Sequence, residues 1–350
     1  MSFVIGYLFM PIVIEIAKKH NFVVSPNKRT SHNGDIPNIG GINIFVSFLL
    51  TVFFFSFNLF SEMQFILLGL AIILIVGFID DLMELKVSWK LLGQLLAGFF
   101  LIVGGNLRFT TLAGFWGVYE FPLIISYLLT FFVFVLVVNA LNLIDGVDGL
   151  ASGLGILYSL FFGIYFHLTG NQDLSISAFA MVGSLSVFFY YNVFSHRNKI
   201  FMGDSGSLLL GYMMFLYILS FCELNAKGEV PESLRTYSAV AVVLTVLLVP
   251  LFDTLRVVIT RLKKGRSPFS ADRNHIHHLL LGLGLKHREV SFLLMFITVV
   301  LIIIALLTRN LPVYLILLID AVIAISLTLL LWNLINKKNK KEAEQKNEKL

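Results

Sequence analysis

The chain has 350 residues, of which 57% are hydrophobic and only 13% charged, and its mean hydropathy is +0.87. A water-soluble domain carries about 25% charged residues, so this composition excludes an ordinary soluble core and points to a chain dissolved in lipid. The net charge of +5 lies in loops between apolar runs and is no sign of nucleic-acid binding, and the lone Cys222 excludes an internal disulfide.

Apolar stretches near the ~20 residues needed to cross a bilayer core recur along the whole chain. They run over 2–17, 39–60, 63–79, 88–104, 122–140, 150–169, 174–191, 205–222, 236–260, 290–308 and 311–335. The first is followed by Lys18 and Lys19 and lacks both the basic start and the small-residue cleavage site of a signal peptide, so a retained span is expected. The expected fold class is all-α: a polytopic integral-membrane helical bundle of about 11 transmembrane helices, one domain over 1–335. Residues 336–350 read as a basic, disordered tail that attracts anionic lipid. No internal repeat is visible.

Alternation of the spans sorts the 26 Lys and Arg residues into two sets, and one side holds only Arg108, Lys227, Arg235 and Arg309. Short cytoplasmic loops carry the excess of Lys and Arg, so the N-terminus is expected outside and the C-terminus in the cytoplasm.

The cytoplasmic loops so defined hold most of the unusual residues. The first contains Lys28, Arg29 and His32 and ends in Gly40-Gly41, which lets the backbone bend into span two. Asp80-Asp81 end span three. Two adjacent carboxylates there are costly to desolvate unless a divalent cation or a base offsets them, and hard oxygen ligands suit Mg2+. Lys90 opens span four, where a point charge can hold a phosphate. The third loop, Asn139 to Ala151, alternates Asn142, Asp145 and Asp148 with glycine, which lets the acids aim at one small volume. In Phe201-Met-Gly-Asp204-Ser-Gly, Asp204 or Ser205 reads as a helix N-cap, and the flanking glycines allow a phosphate or metal to approach. The fifth loop carries Asp272, Arg273, His275, His277 and His278. Zinc fits poorly without nearby cysteine, whereas imidazoles beside Arg273 suit a diphosphate. Asp253 is expected to pair with Arg256, and Asp320 inside span eleven has no explanation at this level.

Acids, bases and histidines gathered at one membrane boundary are what phosphoryl transfer between a lipid phosphate and a water-soluble nucleotide requires. A transporter would place ionisable groups or broken helices at mid-membrane, and a non-catalytic scaffold would not need the full acidic set.

Asp80-Asp81, Asn142-x-x-Asp145-Gly-x-Asp148-Gly, Phe201-Met-Gly-Asp204-Ser-Gly and Asp272-Arg-Asn-His275-Ile-His-His278 together resemble the polyprenyl-phosphate UDP-N-acetylhexosamine-1-phosphate transferases, from about Pro26 to Gly284. The resemblance implies a bacterial cytoplasmic-membrane enzyme that transfers an N-acetylhexosamine-1-phosphate, chiefly GlcNAc-1-phosphate, from a UDP-sugar to undecaprenyl phosphate and releases UMP. The cofactor it implies is Mg2+, with Mn2+ as a substitute. Asp204 is then the metal ligand, and Asp80, with Asp81 beside it, orients or deprotonates the lipid phosphate. Asn142 and Asp145 line the metal and diphosphate region, and Asp148 meets the nucleoside. Lys90, Arg273, His275, His277 and His278 hold phosphates or sugar, and Asn192 is a further nucleoside contact. The string from Ser267 to His278 is similar to the branch using simple UDP-N-acetylhexosamines. UDP-GalNAc, a 6-deoxy sugar and UDP-MurNAc-pentapeptide remain alternative donors. A homodimer is compatible with the sequence.

Overall fold

The computed structural model describes the chain except for residues 25–34, 57–63, 113–117, 268–273 and 348–350. The described residues are almost entirely helical. In chain order they form α1 (Ser2–Lys19), α2 (Gly40–Phe55), α3 (Gln64–Met83), α4 (Val87–Phe99, continued by a π-helical turn Phe100–Gly104) and α5 (Leu123–Leu143). Then come α6 (Leu150–Leu168), α7 (Gln172–Val193), α8 (Gly203–Lys227), α9 (Ala239–Val246), α10 (Leu248–Lys263), α11 (Ile276–Gly282), α12 (His287–Thr308) and α13 (Val313–Asn347). The expected all-helical membrane architecture is present. Among the described residues eight helices are long and apolar enough to cross a membrane, or nine if a bent pair is one span. α1 and α2 match the first two expected spans, α2 over the shorter range Gly40–Phe55.

The bundle is organised around α8. Its neighbours are α3, α5 and α2, while α6 packs on α7 and α1 on both α2 and α7. Lipid supplies no hydrophobic drive between helices, so contact there depends on small residues and side-chain hydrogen bonds. Both occur at α8. A Cβ on Gly77 of α3 would lie 2.5 Å from the Ser205 Cα, and one on Gly41 of α2 would lie 2.6 Å from the Gly206 Cα. The start of α8 is therefore wedged between two backbones. Farther along, the Tyr212 hydroxyl donates to the Ile66 carbonyl (2.8 Å).

Several expectations change here. The glycines at 40 and 41 do not bend the chain into α2. They are its first two residues, and they allow helix–helix approach. Span nine is not one helix: α9 and α10 meet at 79°, with Leu247 between them outside helical geometry. Pro250 lies in the first turn of α10, where its missing N–H costs nothing. Asp320 of α13 accepts from Thr245 Oγ1 (3.0 Å) just before this break, tying α13 to the end of α9. The segment expected as a disordered tail continues α13 as helix to Asn347, in keeping with the helix-forming Lys, Glu, Ala and Gln that compose it. A two-residue antiparallel pair, β1 (Val23–Val24) with β2 (Ile36–Pro37), was not anticipated. Arg29 and His32 lie outside the described residues.

Gly77→Ala should push α8 off its seat. The expected result is a protein that inserts normally, with a melting temperature several degrees lower, given ~1–3 kcal/mol for overpacking, and clearly reduced turnover. Detergent thermal melts and an activity assay check this.

Candidate active site

Helix ends from distant parts of the sequence meet at one end of the bundle, and α8 presents Asp204 there as its second residue. Asp204 is not an N-cap: the helix begins at Gly203, and the cap is supplied from another helix. Asp81 Oδ1 accepts the Asp204 N–H (2.6 Å) and Oδ2 accepts the Ser205 N–H (3.0 Å). Asn38 Nδ2 adds a third bond to Oδ1 (3.2 Å). Free N–H groups at a helix start carry positive potential, so a carboxylate is favoured there. Gly203 takes φ +70°, and a Cβ on it would meet the Asp81 carboxylate, so glycine is required at this position. Asp81 thus positions Asp204 and has most of its acceptor capacity committed.

Asp80, its neighbour, is buried. One oxygen accepts the Leu85 N–H (2.6 Å), and the other pairs with Lys90 Nζ at 2.8 Å. Lys90 Nζ also bonds Asp204 Oδ1 (2.6 Å) and Asn142 Oδ1 (3.3 Å). Asn142 Nδ2 in turn donates to Asp204 and to Ser207 Oγ (2.8 Å). One ammonium therefore joins α3, α4, α5 and α8 through two carboxylates and an amide.

The third loop lies beside this group. The half-buried Asp145 carboxylate has no hydrogen bond or ion pair with any described residue. Burial, and then the charges of Asp204, Asp81 and Asp148, push its pKa up to about 8. Asp145, Asp204 and Asn142 bring to one cleft the hard oxygens that a divalent cation takes. Among the described residues, no three His, Cys, Asp or Glu side chains already meet as a ligand cluster. Asp148 is paired with Lys199 Nζ (2.6 Å), with His287 Nδ1 at 3.6 Å.

Asp81, Lys90, Asn142, Asp145, Asp148 and Asp204 line a cleft of about 1320 Å³ together with Lys199, His278, Lys286, His287 and Arg288; Asp80, expected to meet the lipid phosphate, is not among the lining residues and reaches the cleft through Lys90. In the sequence Lys199, Lys286 and Arg288 count only toward the basic side of the membrane, and nothing there singles out His287. Their signal was proximity in sequence to the ends of α7 and α12, and it becomes specific only when those ends meet. Asn192 reaches the cleft, but it is buried and both ends of its amide are committed: it accepts the Gly149 N–H (2.6 Å) and donates to the Ile200 carbonyl (2.8 Å). It braces two loops against each other.

The histidines divide. His278 lines the cleft. His277 is buried against Gly146, where a Cβ would lie 2.5 Å from its Nε2. Burial and then the His278 charge lower its pKa to about 3, so it is neutral. His275 is buried behind the cleft wall, with Nδ1 2.9 Å from Asp253 Oδ2. Arg273 and Asp272 lie outside the described residues.

The family model described as glycosyl transferase family 4 matches residues 63–221. The undecaprenyl-phosphate alpha-N-acetylglucosaminyl 1-phosphate transferase of Escherichia coli O157:H7 is 30% identical over 295 residues, covering 83% of this chain and 78% of that protein. The decaprenyl-phosphate N-acetylglucosaminephosphotransferase of Mycobacterium leprae (strain TN) is 32% identical over 317 residues, with the same shares covered. The protein of that first name from Salmonella typhi is 29% identical over 295 residues, again 83% and 78%. The chain belongs to glycosyl transferase family 4, the family of these sugar-1-phosphate transferases, and is an enzyme of that class.

Proposed function

We propose that the enzyme transfers N-acetylglucosamine-1-phosphate from UDP-N-acetylglucosamine to undecaprenyl phosphate at the cytoplasmic face of a bacterial inner membrane. The observation that carries this reading is Lys90 held between Asp80 and Asp204 on the wall of a cleft also lined by Lys199, Lys286 and Arg288. Lipid names and the GlcNAc group come from the relatives. The cytoplasmic face comes from the Lys and Arg asymmetry of the loops and from the cytosolic location of nucleotide sugars.

In this reaction an oxygen of the lipid phosphate attacks the phosphorus that bears the sugar. The bond from that phosphorus to the bridging oxygen breaks, and the oxygen leaves with its electron pair on UMP. Both reactants are anions, so the chief task of the protein is to offset repulsion and hold them in line. Lys90 meets phosphate oxygens from the Asp80 side, and Lys199, Lys286 and Arg288 receive the nucleotide from the aqueous side. Phosphate monoesters are already mostly ionised near neutrality, with a second pKa of about 6, so Asp80 orients the nucleophile through Lys90 more than it removes a proton. Mg2+, or Mn2+ in its place, held by oxygens of Asp204, Asp145 and Asn142, would neutralise charge on the diphosphate and the leaving group. The uncompensated Asp145 carboxylate supports its place there.

Purified enzyme, undecaprenyl phosphate and a panel of radiolabelled UDP-sugars test the reading. UDP-N-acetylglucosamine should give labelled lipid and equimolar UMP, with UDP-GalNAc, 6-deoxy and MurNAc-pentapeptide donors much slower. Absence of UMP release from every donor would overturn it. Asp204→Asn should lower divalent-dependent kcat by about 100- to 1000-fold, measured by the same assay, with membrane insertion unchanged.

Asp145 makes a stability prediction. Its folded-state pKa is raised, so the folded chain disfavours the charged form. Without a divalent ion, stability falls as pH rises from about 4 to about 8. Asp145→Asn should flatten that fall and raise the melting temperature by ~2–4 °C above pH 8 in divalent-free detergent.

A further inference from the structure

Asp253 takes no part in the chemistry above, yet it is buried and accepts three hydrogen bonds. Arg256 Nη2 donates to Oδ1 at 2.8 Å, the Ile276 N–H donates to Oδ1 at 2.9 Å, and His275 Nδ1 lies 2.9 Å from Oδ2. Arg256 also donates to the Asn274 carbonyl. Three of these contacts thus hold residues 274–276, where the chain enters α11, to α10 beyond the 79° break after α9. An ionised carboxylate can only accept, so His275 must present Nδ1–H to it, which sets the imidazole tautomer. His275 stacks on His277, with ring centres 5.7 Å apart and planes 7° apart, and His277 abuts Gly146 in the loop of Asp145 and Asp148. The next residue, His278, lines the cleft.

We propose that Asp253, with Arg256, is a positioning residue: by fixing His275 it sets the α11 wall of the cleft against the Asp145–Asp148 loop, and so governs binding of the UDP-sugar and not of the lipid phosphate. The proposal rests on the transferase reading. It separates the substrates because α11 sets His278 on the cleft wall and His277 against Gly146 beside Asp145, whereas Lys90 is bonded to Asp80, Asn142 and Asp204 of α3, α5 and α8.

The test is a double-mutant cycle between Asp253→Asn and His275→Ala in full-length enzyme, with KM measured for each substrate. Asp253→Asn should raise the KM for UDP-N-acetylglucosamine by about 10- to 100-fold, with the KM for undecaprenyl phosphate within about twofold. The double variant should be no worse than His275→Ala alone, because one residue acts through the other. Arg256→Gln, which spares the Asp253–His275 contact, should show the same split more weakly, and it serves if Asp253→Asn does not fold. Additive losses, or equal rises in both KM values, would overturn the proposal. Wild-type UMP release in the same assay keeps it distinct from the reading beneath it: without that release the transferase reading itself falls.

Discussion

The position of Asp204 depends on how closely three backbones can approach. α8 starts between Gly41 and Gly77, and the Asp81 carboxylate of α3 receives its first N–H groups. Ser205 is buried between the two backbones, so an N–H left unpaired at this helix start would cost several kcal/mol. The same bonds that satisfy this requirement hold Asp204 within 2.6 Å of Lys90. Packing, capping and the placing of the reactive acid are thus one arrangement.

Charge is the second constraint. The cleft sets acids beside cations because it must receive anions without trapping them. Lys90 is balanced by Asp80 and Asp204, and Lys199 by Asp148. An incoming phosphate competes for cations that are already held in place, so little reorganisation is needed. Asp145 is the exception, an acid without a partner among the described residues, and burial raises its pKa.

Much of this was legible in the chain. Mean hydropathy and periodic apolar runs delimited the helices, because crossing a bilayer demands a length and a composition that few other structures need. The acids Asp80, Asp145, Asp148 and Asp204 stood out because charge at a membrane boundary is costly unless used, and all four converge on one end of the bundle. Less legible were roles. Asp80 and Asp81 are adjacent in sequence, yet one pairs with Lys90 and the other caps α8. Three histidines in four residues read as one group, yet only His278 lines the cleft. A run that is apolar from 236 to 260 gives no sign of a 79° break, since Pro250 is as compatible with a first turn as with a kink.

The amino-acid sequence alone therefore determined the all-helical membrane architecture and the family, since the first follows from local composition and the second from a few spaced motifs. Only the tertiary structure decided which carboxylate caps α8 and which braces the start of α11. Those functions depend on donors brought from segments 22 to 124 positions away, as with Asp253 and His275 or Asp81 and Ser205. Such pairings come from helix packing, and no local pattern in the chain encodes them.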